Sequence, residues 1–404
     1  MGAGTLVELI ARGKQDTYII GNPQFSFFKS VYKRHTNFSI EPIKQIFTES
    51  PDFGKRVTCI IDKKADMLSD IMLELELPAL KTYVSWTNSI GCYIIDWVEL
   101  QFGGEPIDRI SGDLLDIFLD ITTPTGKKQP LYDMLGKFST FNNNTQTGAL
   151  KLLIPLPFWF CRTIEKALPL ISMQYTDIKI IFQFKDFDNC WYKVSNGETP
   201  SNTPSITKAN LICNFIYLDV FERTQFAKQQ NHEYLIEQFQ ILNGQQIAQN
   251  IINANVRLFF NHTIKELFWT YRADVVTSYN DYNNYANITD YTTINELIIA
   301  PFTEINLRFN GNDRFEKLAE TFFRLYQPYK HHSSGTNDYI YMYSFALYPE
   351  STQPSGTCNF SKLDNVILNL ECTPNIPSGI INVYGINYNI LRIQNGMSGL
   401  MFSS

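Results

Sequence analysis

Leu100-Gln101-Phe102-Gly103-Gly104, followed by Asp108-Arg109-Ile110, returns as Leu307-Arg308-Phe309-Asn310-Gly311, followed by Asp313-Arg314-Phe315. Each copy reads as an apolar-alternating strand, a glycine turn, an Asp-Arg-apolar triplet and an amphipathic helical stretch. The first stretch, Gly112 to Ile121, puts Leu114, Leu115, Phe118 and Leu119 on one face. The second, Arg314 to Leu325, does the same with Phe315, Leu318, Phe322 and Phe323. Working outward, Ile43-Lys44-Gln45-Ile46 returns as Ile236-Glu237-Gln238-Phe239, and Leu68 to Leu73 as Ile264 to Trp269. Ser172 and Asp177 before the strand Ile178 to Phe184 match Ser361 and Asp364 before Val366 to Leu370. Apolar alternation recurs by chance in any β protein, but four matches in one order at nearly constant offset point to tandem duplication of one β-sandwich. The join falls in the polar stretch Phe221 to Gln230.

The rest of the chain supports an all-β reading. Arg56 to Ile61, Ile71 to Leu77, Tyr93 to Phe102, Asn210 to Val220, Val256 to Phe260 and Ile380 to Leu391 are short and rich in β-branched and aromatic residues, and turn residues bound them. A length of 404 residues suits two domains of ordinary size. Only 18% of residues are charged, below the usual ~25%, and that surface suits broad permanent contacts. A net charge of −6 removes any whole-protein argument for nucleic-acid binding. The seven cysteines include no CxxC pair and lie in apolar runs such as Val57 to Ile61, so they read as free, packed thiols of a reducing compartment. Met1 to Arg12 carries no secretory pattern, and the most apolar window, Leu152 to Phe160, is too short to span a bilayer. Two biased loops, Asp186 to Lys208 and the Tyr/Asn-rich Arg272 to Asn295, are expected at the surface.

A search for chemistry returns little. His331-His332 would face opposite sides of a strand and reads as two loop histidines making polar contacts. Asp113, Asp116 and Asp120 share helical spacing and read as a solvated face rather than a cation site. Asp62, Asp66 and Asp70 do not follow the calcium-loop pattern. Lys29, Lys33, Arg34 and His35, interleaved with Phe25, Phe27, Phe28 and Tyr32, read as the rim of a short amphipathic segment docking on protein, not as a nucleic-acid patch. Glycosylation sequons stand at Asn37, Asn143, Asn261, Asn287 and Asn359. No nucleophile elbow, phosphate loop or paired carboxylates are found, so no catalytic, cofactor-binding or metal residue is assigned and an enzyme is not expected.

Longer motifs carry a resemblance. They are Gly21-Asn22-Pro23-Gln24, Phe27-Phe28-Lys29 and Tyr32-Lys33-Arg34-His35-Thr36-Asn37-Phe38 in the N-terminal segment. Leu168-Pro169-Leu170-Ile171, Gln174-Tyr175 and His232-Glu233-Tyr234-Leu235-Ile236-Glu237-Gln238 follow. Then come Asn310 to Phe315, Gln327-Pro328-Tyr329-Lys330-His331-His332, Tyr343 to Leu347, Gln353 to Phe360, Asn387 to Ile393 and Gly396 to Leu400. In these the chain resembles the double jelly-roll major capsid proteins of nucleocytoplasmic large DNA viruses.

The resemblance implies two tandem eight-stranded antiparallel jelly rolls, at 39–222 and 223–404, after an arm over 1–38. It implies a homotrimeric, pseudo-hexagonal capsomer that tiles an icosahedral shell in the virion, made and assembled in the host cytoplasm. The implied partners are the protein itself and neighbouring capsomers, minor capsid proteins, and an inner membrane layer reached by the arm. Loops such as Arg272 to Asn295 would face outward, Gly311 and Gly356 would serve tight turns, and Pro23 and Pro354 would fix extended entries. The chain looks short for the family, so its outward loops should be modest. A minor capsid or scaffold paralogue with the same fold and, in another class, a lectin-like glycan-binding module are the competing expectations.

Overall fold

The computed structural model describes residues 2–80, 85–137, 149–192, 203–229, 231–288, 299–335 and 339–402. Contacts divide the chain into two units, Met1–Asn37 and Phe38–Ser404. The first holds a helix, Ala3–Ile10, and a single turn, Thr17–Ile20. Residues 21–37 form no regular element, and Phe25, Phe27, Phe28, Val31 and Tyr32 are exposed along them.

In the second unit the strand order carries the duplication. The first half contributes β1 (Phe38–Gln45), β2 (Arg56–Ile60), β3 (Met67–Leu77), β4 (Ile95–Phe102), β5 (Glu105–Ser111), β6 (Leu150–Pro155), β7 (Ile178–Phe184) and β8 (Lys208–Leu218). They pair as two sheets, β1-β8-β3-β6 and β2-β7-β4-β5. The second half contributes β9 (Asn231–Ile247), β10 (Asn253–Arg257), β11 (Thr263–Ala273), β12 (Phe302–Phe309), β13 (Asn312–Asp313), β14 (Ile340–Ser344), β15 (Val366–Cys372) and β16 (Gly379–Gln394). Its sheets are β9-β16-β11-β14 and β10-β15-β12-β13. Adding eight to each label of the first half reproduces the second, and every pairing is antiparallel. This is the jelly-roll order, twice. Short pairings, such as Ser85–Trp86 with Trp191–Tyr192 and Met397–Leu400 on β16, extend it.

Alternation explains the first sandwich. In β3, Ile71, Leu73, Leu75 and Leu77 are buried, while Glu74 on the other face meets Lys44 at 2.8 Å. Ile178, Ile180, Phe182 and Phe184 of β7 close the core from the opposite sheet. Each such side chain contributes roughly 1.5–3 kcal/mol relative to exposure. β11 of the second half behaves differently, because nearly every residue in it is buried. Leu267, Trp269 and Tyr271 fill the second core, whereas Phe268 belongs to the first. Tyr384 and Ile386 of β16 also join the first core, so one face of the β9-β16-β11-β14 sheet packs on the other half.

Several expectations are corrected. The strand expected from Tyr93 begins at Ile95, because Ser89 at φ +54° starts a helical turn over Ile90–Tyr93. The strand expected over Val256 to Phe260 is Asn253–Arg257. The helix expected over Arg314 to Leu325 starts later: Leu318–Ala319 pair with β12, and a π turn over Phe322–Tyr326 runs into a helix over Gln327–His331. The Gln327 N–H donates to the Phe322 carbonyl, five residues back. Pro328 has no N–H and its ring would crowd the carbonyl four residues earlier, a conflict that the wider turn relieves. Gly112–Thr122 is helical as expected, with Ser111 accepting from the Leu114 N–H at 3.3 Å. Gly311 and Gly356 adopt φ of +85° and +141°.

Candidate functional site

The richest constellation of polar side chains lies on the seam between the two sandwiches. It begins with β11, whose alternation sends Glu266, Phe268, Thr270 and Arg272 to the side facing the first half. Arg272 is buried and donates from Nε and Nη2 to the Tyr282 carbonyl at 3.1 and 2.8 Å. Its Nη1 meets Asp113 Oδ2 of the first half at 3.2 Å. The rings of Tyr282, Tyr285 and Tyr93 surround the guanidinium at 5.4, 5.4 and 6.0 Å. Burial would strip the charge from Arg272, but Asp113 outweighs it and holds the guanidinium above its usual range. Tyr93 stacks on Tyr282 with centroids 5.1 Å apart, and its hydroxyl lies 3.1 Å from that of Tyr285.

Asn280, in the left-handed region at φ +59°, donates to the Asp188 and Trp191 carbonyls, both at 2.8 Å, and its own carbonyl accepts from Thr87 Oγ1. Thus residues 272–288 form a latch onto the first half. The described part of Arg272 to Asn295, expected at the surface, is instead largely buried against the first half, with Thr277 and Ser278 exposed; residues 289–298 lie outside the described residues. An Asn/Tyr-rich segment escapes the surface here because backbone carbonyls of the other half satisfy it. Asp186 to Lys208 lies largely at the surface as expected, with Asp188, Asn189, Thr203, Ser205 and Thr207 exposed, while Phe187, Cys190, Trp191 and Ile206 anchor it in the core; 193–202 lie outside the described residues.

Asp113, Asp116 and Asp120 are not a solvated face either. Asp116 is buried and accepts from Ser89 Oγ at 2.6 Å and from Asn283 Nδ2 of the latch at 2.8 Å, with Lys137 Nζ at 3.3 Å. Asp120 is buried against Lys128 at 3.1 Å and the Tyr132 hydroxyl at 2.8 Å. Packing of the helix between both halves, with its own cations supplied, overrides the solvated reading.

Further along, β9 passes β5. The Phe239 N–H donates to Asp108 Oδ1 at 2.9 Å, and Gln238 Nε2 donates to the Ile107 carbonyl. Asp108 Oδ2 is buried with no partner, and burial pushes this carboxyl up to about 7.

A chain of alternating charges completes the seam. Arg162 Nη1 pairs with Glu237 of β9, whose Oε2 also meets Lys265 Nζ at 2.7 Å. Lys265 lies 3.6 Å from Glu266, Glu266 lies 3.0 Å from His332 Nε2, and His332 Nδ1 lies 3.0 Å from Glu350. The register of β11 on β16 shifts between Ile264 and Glu266, and this bulge brings consecutive residues Lys265 and Glu266 into one network. Burial acts to neutralise His332; Glu266 and then Glu350 prevail, lifting it to about 9. His331 bonds the Leu347 carbonyl at 3.1 Å. The histidine pair therefore makes polar contacts as expected, but at a helix end, and the side chain of His332 is buried. Both sandwiches line a cavity of about 480 Å³ beside this chain.

All seven thiols are free, and burial pushes Cys59 and Cys190 up to about 12. Among the described residues, no group of three or more His, Cys, Asp or Glu is placed to hold a metal. Asn37, Asn261 and Asn359 are exposed, Asn287 is half-buried, and Asn143 lies outside the described residues. Sequence reasoning missed the seam because its partners are far apart in the chain; the unbroken burial implied by Leu267-Phe268-Trp269 was the available signal.

On the surface, Leu325, Tyr326, Tyr329, Leu347 and Tyr348 form exposed apolar ground on the second half, with Tyr329 82% exposed. Two copies of one sandwich, locked together by buried charge, place the chain in the double jelly-roll class.

Comparison with known proteins agrees. Residues 222–399 match the family described as large eukaryotic DNA virus major capsid protein, and residues 26–219 match major capsid protein N-terminus. The major capsid protein of Pyramimonas orientalis virus is 36% identical with both chains fully covered. That of Paramecium bursaria Chlorella virus 1 is 34% identical, again over all of both chains. A chain of the quasi-atomic PBCV-1 virus capsid superposes with a TM-score of 0.81 at 30% identity, covering 94% of this chain and all of that one. The Faustovirus major capsid protein, at 12% identity, shares the fold with a TM-score of 0.78, covering 96% of each chain. The chain belongs to the family of large eukaryotic DNA virus major capsid proteins. It is a structural subunit of the virion shell and assembles with copies of itself.

Proposed function

We propose that three copies associate into a pseudo-hexagonal capsomer, which is the unit that tiles the shell. The repeated strand order carries this reading. Two similar sandwiches per chain give a trimer six similar walls, so a three-fold object packs where six neighbours are required, while differences between the halves set its orientation. The sandwiches correspond to 39–222 and 223–404, and the arm over 1–38 reaches neighbouring subunits, minor capsid proteins or an inner membrane layer. Exposed apolar residues along the arm, among them Tyr18, Ile19, Phe27 and Phe28, support a role in contacts. The assembly takes place in the host cytoplasm, and the chain performs no catalysis. The lectin reading loses its surface, because Tyr282 and Tyr285 are buried in the latch.

The test is the native mass of purified protein by light scattering across a dilution series. A stable species at three times 46.7 kDa, about 140 kDa, is expected. Tyr329→Asp, on the exposed apolar ground of the second half, should shift it toward monomer. A folded protein that stays monomeric at every concentration would overturn autonomous capsomer formation and point to a minor or scaffold subunit.

A further inference from the structure

Each sandwich carries a covering element and a sheet face to be covered, and within one chain only one such contact is made. In the first half the helix Gly112–Thr122 lies on the connection from β5 to β6 and meets the outward face of the β9-β16-β11-β14 sheet. Phe118 sets its ring edge-on to Phe239 with centroids 5.3 Å apart, and Asp113 meets Arg272. Across that sheet Ile241, Tyr384, Phe268 and Met342 stand in one cross-strand row. Tyr384, Phe268 and Met342 are buried in the core of the first half, and Ile241 packs against it.

The first half has the same row without the same cover. Lys44, Ile212, Met72 and Pro155 run across β1-β8-β3-β6, with Met72 at the place of Phe268 in the repeat of Leu68 to Leu73 as Ile264 to Trp269. Lys44 is exposed and the other three are half-buried. On the same face Ile40 and Leu153 are 41% and 36% exposed. The second half, for its part, repeats the covering element: the connection from β13 to β14 holds the π turn Phe322–Tyr326 and the helix Gln327–His331. Leu325, Tyr326 and Tyr329 stand in water on it, whereas Phe118 on the first connection is buried. Contiguous apolar ground of this kind marks a contact surface.

Given the trimer proposed above, we infer that the Phe322–His331 connection of one copy seats on the outward face of β1-β8-β3-β6 of the next, repeating between chains the seam that joins the halves within each. Leu325, Tyr326 and Tyr329 of one copy then lie against Ile40, Ile212 and Leu153 of its neighbour. The contact is heterologous, and a ring of such contacts uses every covering connection and every open face once. A two-fold dimer that set one Tyr329 patch on another would bury the connections and leave both sheet faces open. A different protein on either surface would leave the other surface uncovered.

Photo-crosslinking of the full-length protein tests the docking, with benzoylphenylalanine in place of the exposed Tyr329, isotope-labelled and unlabelled chains mixed before assembly, and the native mass read on the same sample. Cross-links should join labelled to unlabelled chains and map to β1, β6 or β8, and the same probe at Leu153 should map back to residues 321–331. Leu153→Asp should weaken association at least about tenfold, and Ile40→Asp provides a second variant if Leu153→Asp lowers the unfolding temperature. A trimer whose cross-links map elsewhere, or one that a folded Leu153→Asp or Ile40→Asp protein forms as tightly as the parent, would overturn the docking and leave the trimer standing. Cross-links from Tyr329 to the same connection of another copy would show a two-fold contact and overturn it too. A folded protein that stays monomeric would remove the trimer and the docking with it.

Discussion

Asp108 stands where β5 meets β9, and only one of its two oxygens is used. Oδ1 accepts from the Phe239 and Arg109 N–H groups at 2.9 and 3.0 Å, while Oδ2 is buried without a partner. Burial raises the carboxyl to about 7; Arg162 opposes that rise and Glu237 adds to it. A raised acid stabilises the fold fully below its unfolded pKa, near 3.9. That contribution is lost as pH climbs through about 7, because over this window the folded state holds a proton the unfolded state has released. Asp108→Asn keeps an acceptor for Phe239 and removes the titration. Relative to the parent, the variant should therefore gain stability between pH 5 and pH 8, by on the order of 1–3 kcal/mol. Denaturant unfolding of both proteins across that range reads the difference, and parallel profiles would show that Asp108 is not the group involved.

At the scale of elements, the latch of residues 272–288 is what sequence reading missed most completely. β3 was legible because one face is buried and the other is not, so Ile71-Leu73-Leu75-Leu77 alternates with Asp70-Met72-Glu74-Glu76. The duplication was legible through the recurring Leu-x-Phe turn. Asp113 was misread because its partner, Arg272, lies 159 residues away, and no local pattern encodes a contact across that distance. Tyr282, Asn280 and Tyr285 have the composition of a surface loop, and only the other half's carbonyls and rings reveal that they are buried. The consequence is measurable by a double-mutant cycle. Arg272→Met and Asp113→Asn should each cost about 3–5 kcal/mol, as expected when one member of a buried pair is removed. The double variant should lose less than the sum, leaving a coupling of about 1 kcal/mol or more. Strict additivity would mean that the two side chains stabilise the fold independently and that the latch closes on its aromatic rings alone.

For the whole molecule, duplication of a sandwich did not produce two independent domains. The core of the first half includes Phe239, Phe268, Tyr285, Ile340, Met342 and Ile386 from the second. Separating the halves would expose each of these at roughly 1.5–3 kcal/mol, against a typical net stability of 5–15 kcal/mol. The second half also holds Lys265, Glu266 and Glu237 in the seam, where Arg162 is a partner from the first. Residues 223–404 made alone should therefore melt without a cooperative transition and bind a hydrophobic dye, whereas residues 38–404 should unfold in one step. Co-expression with residues 38–222 should restore the single transition, since the missing contacts are between side chains and do not depend on the covalent link. A soluble, cooperatively folding second half, or two resolved transitions in the intact chain, would show instead that each sandwich is self-sufficient. The seam would then act as a docking surface between finished domains rather than as part of a shared core.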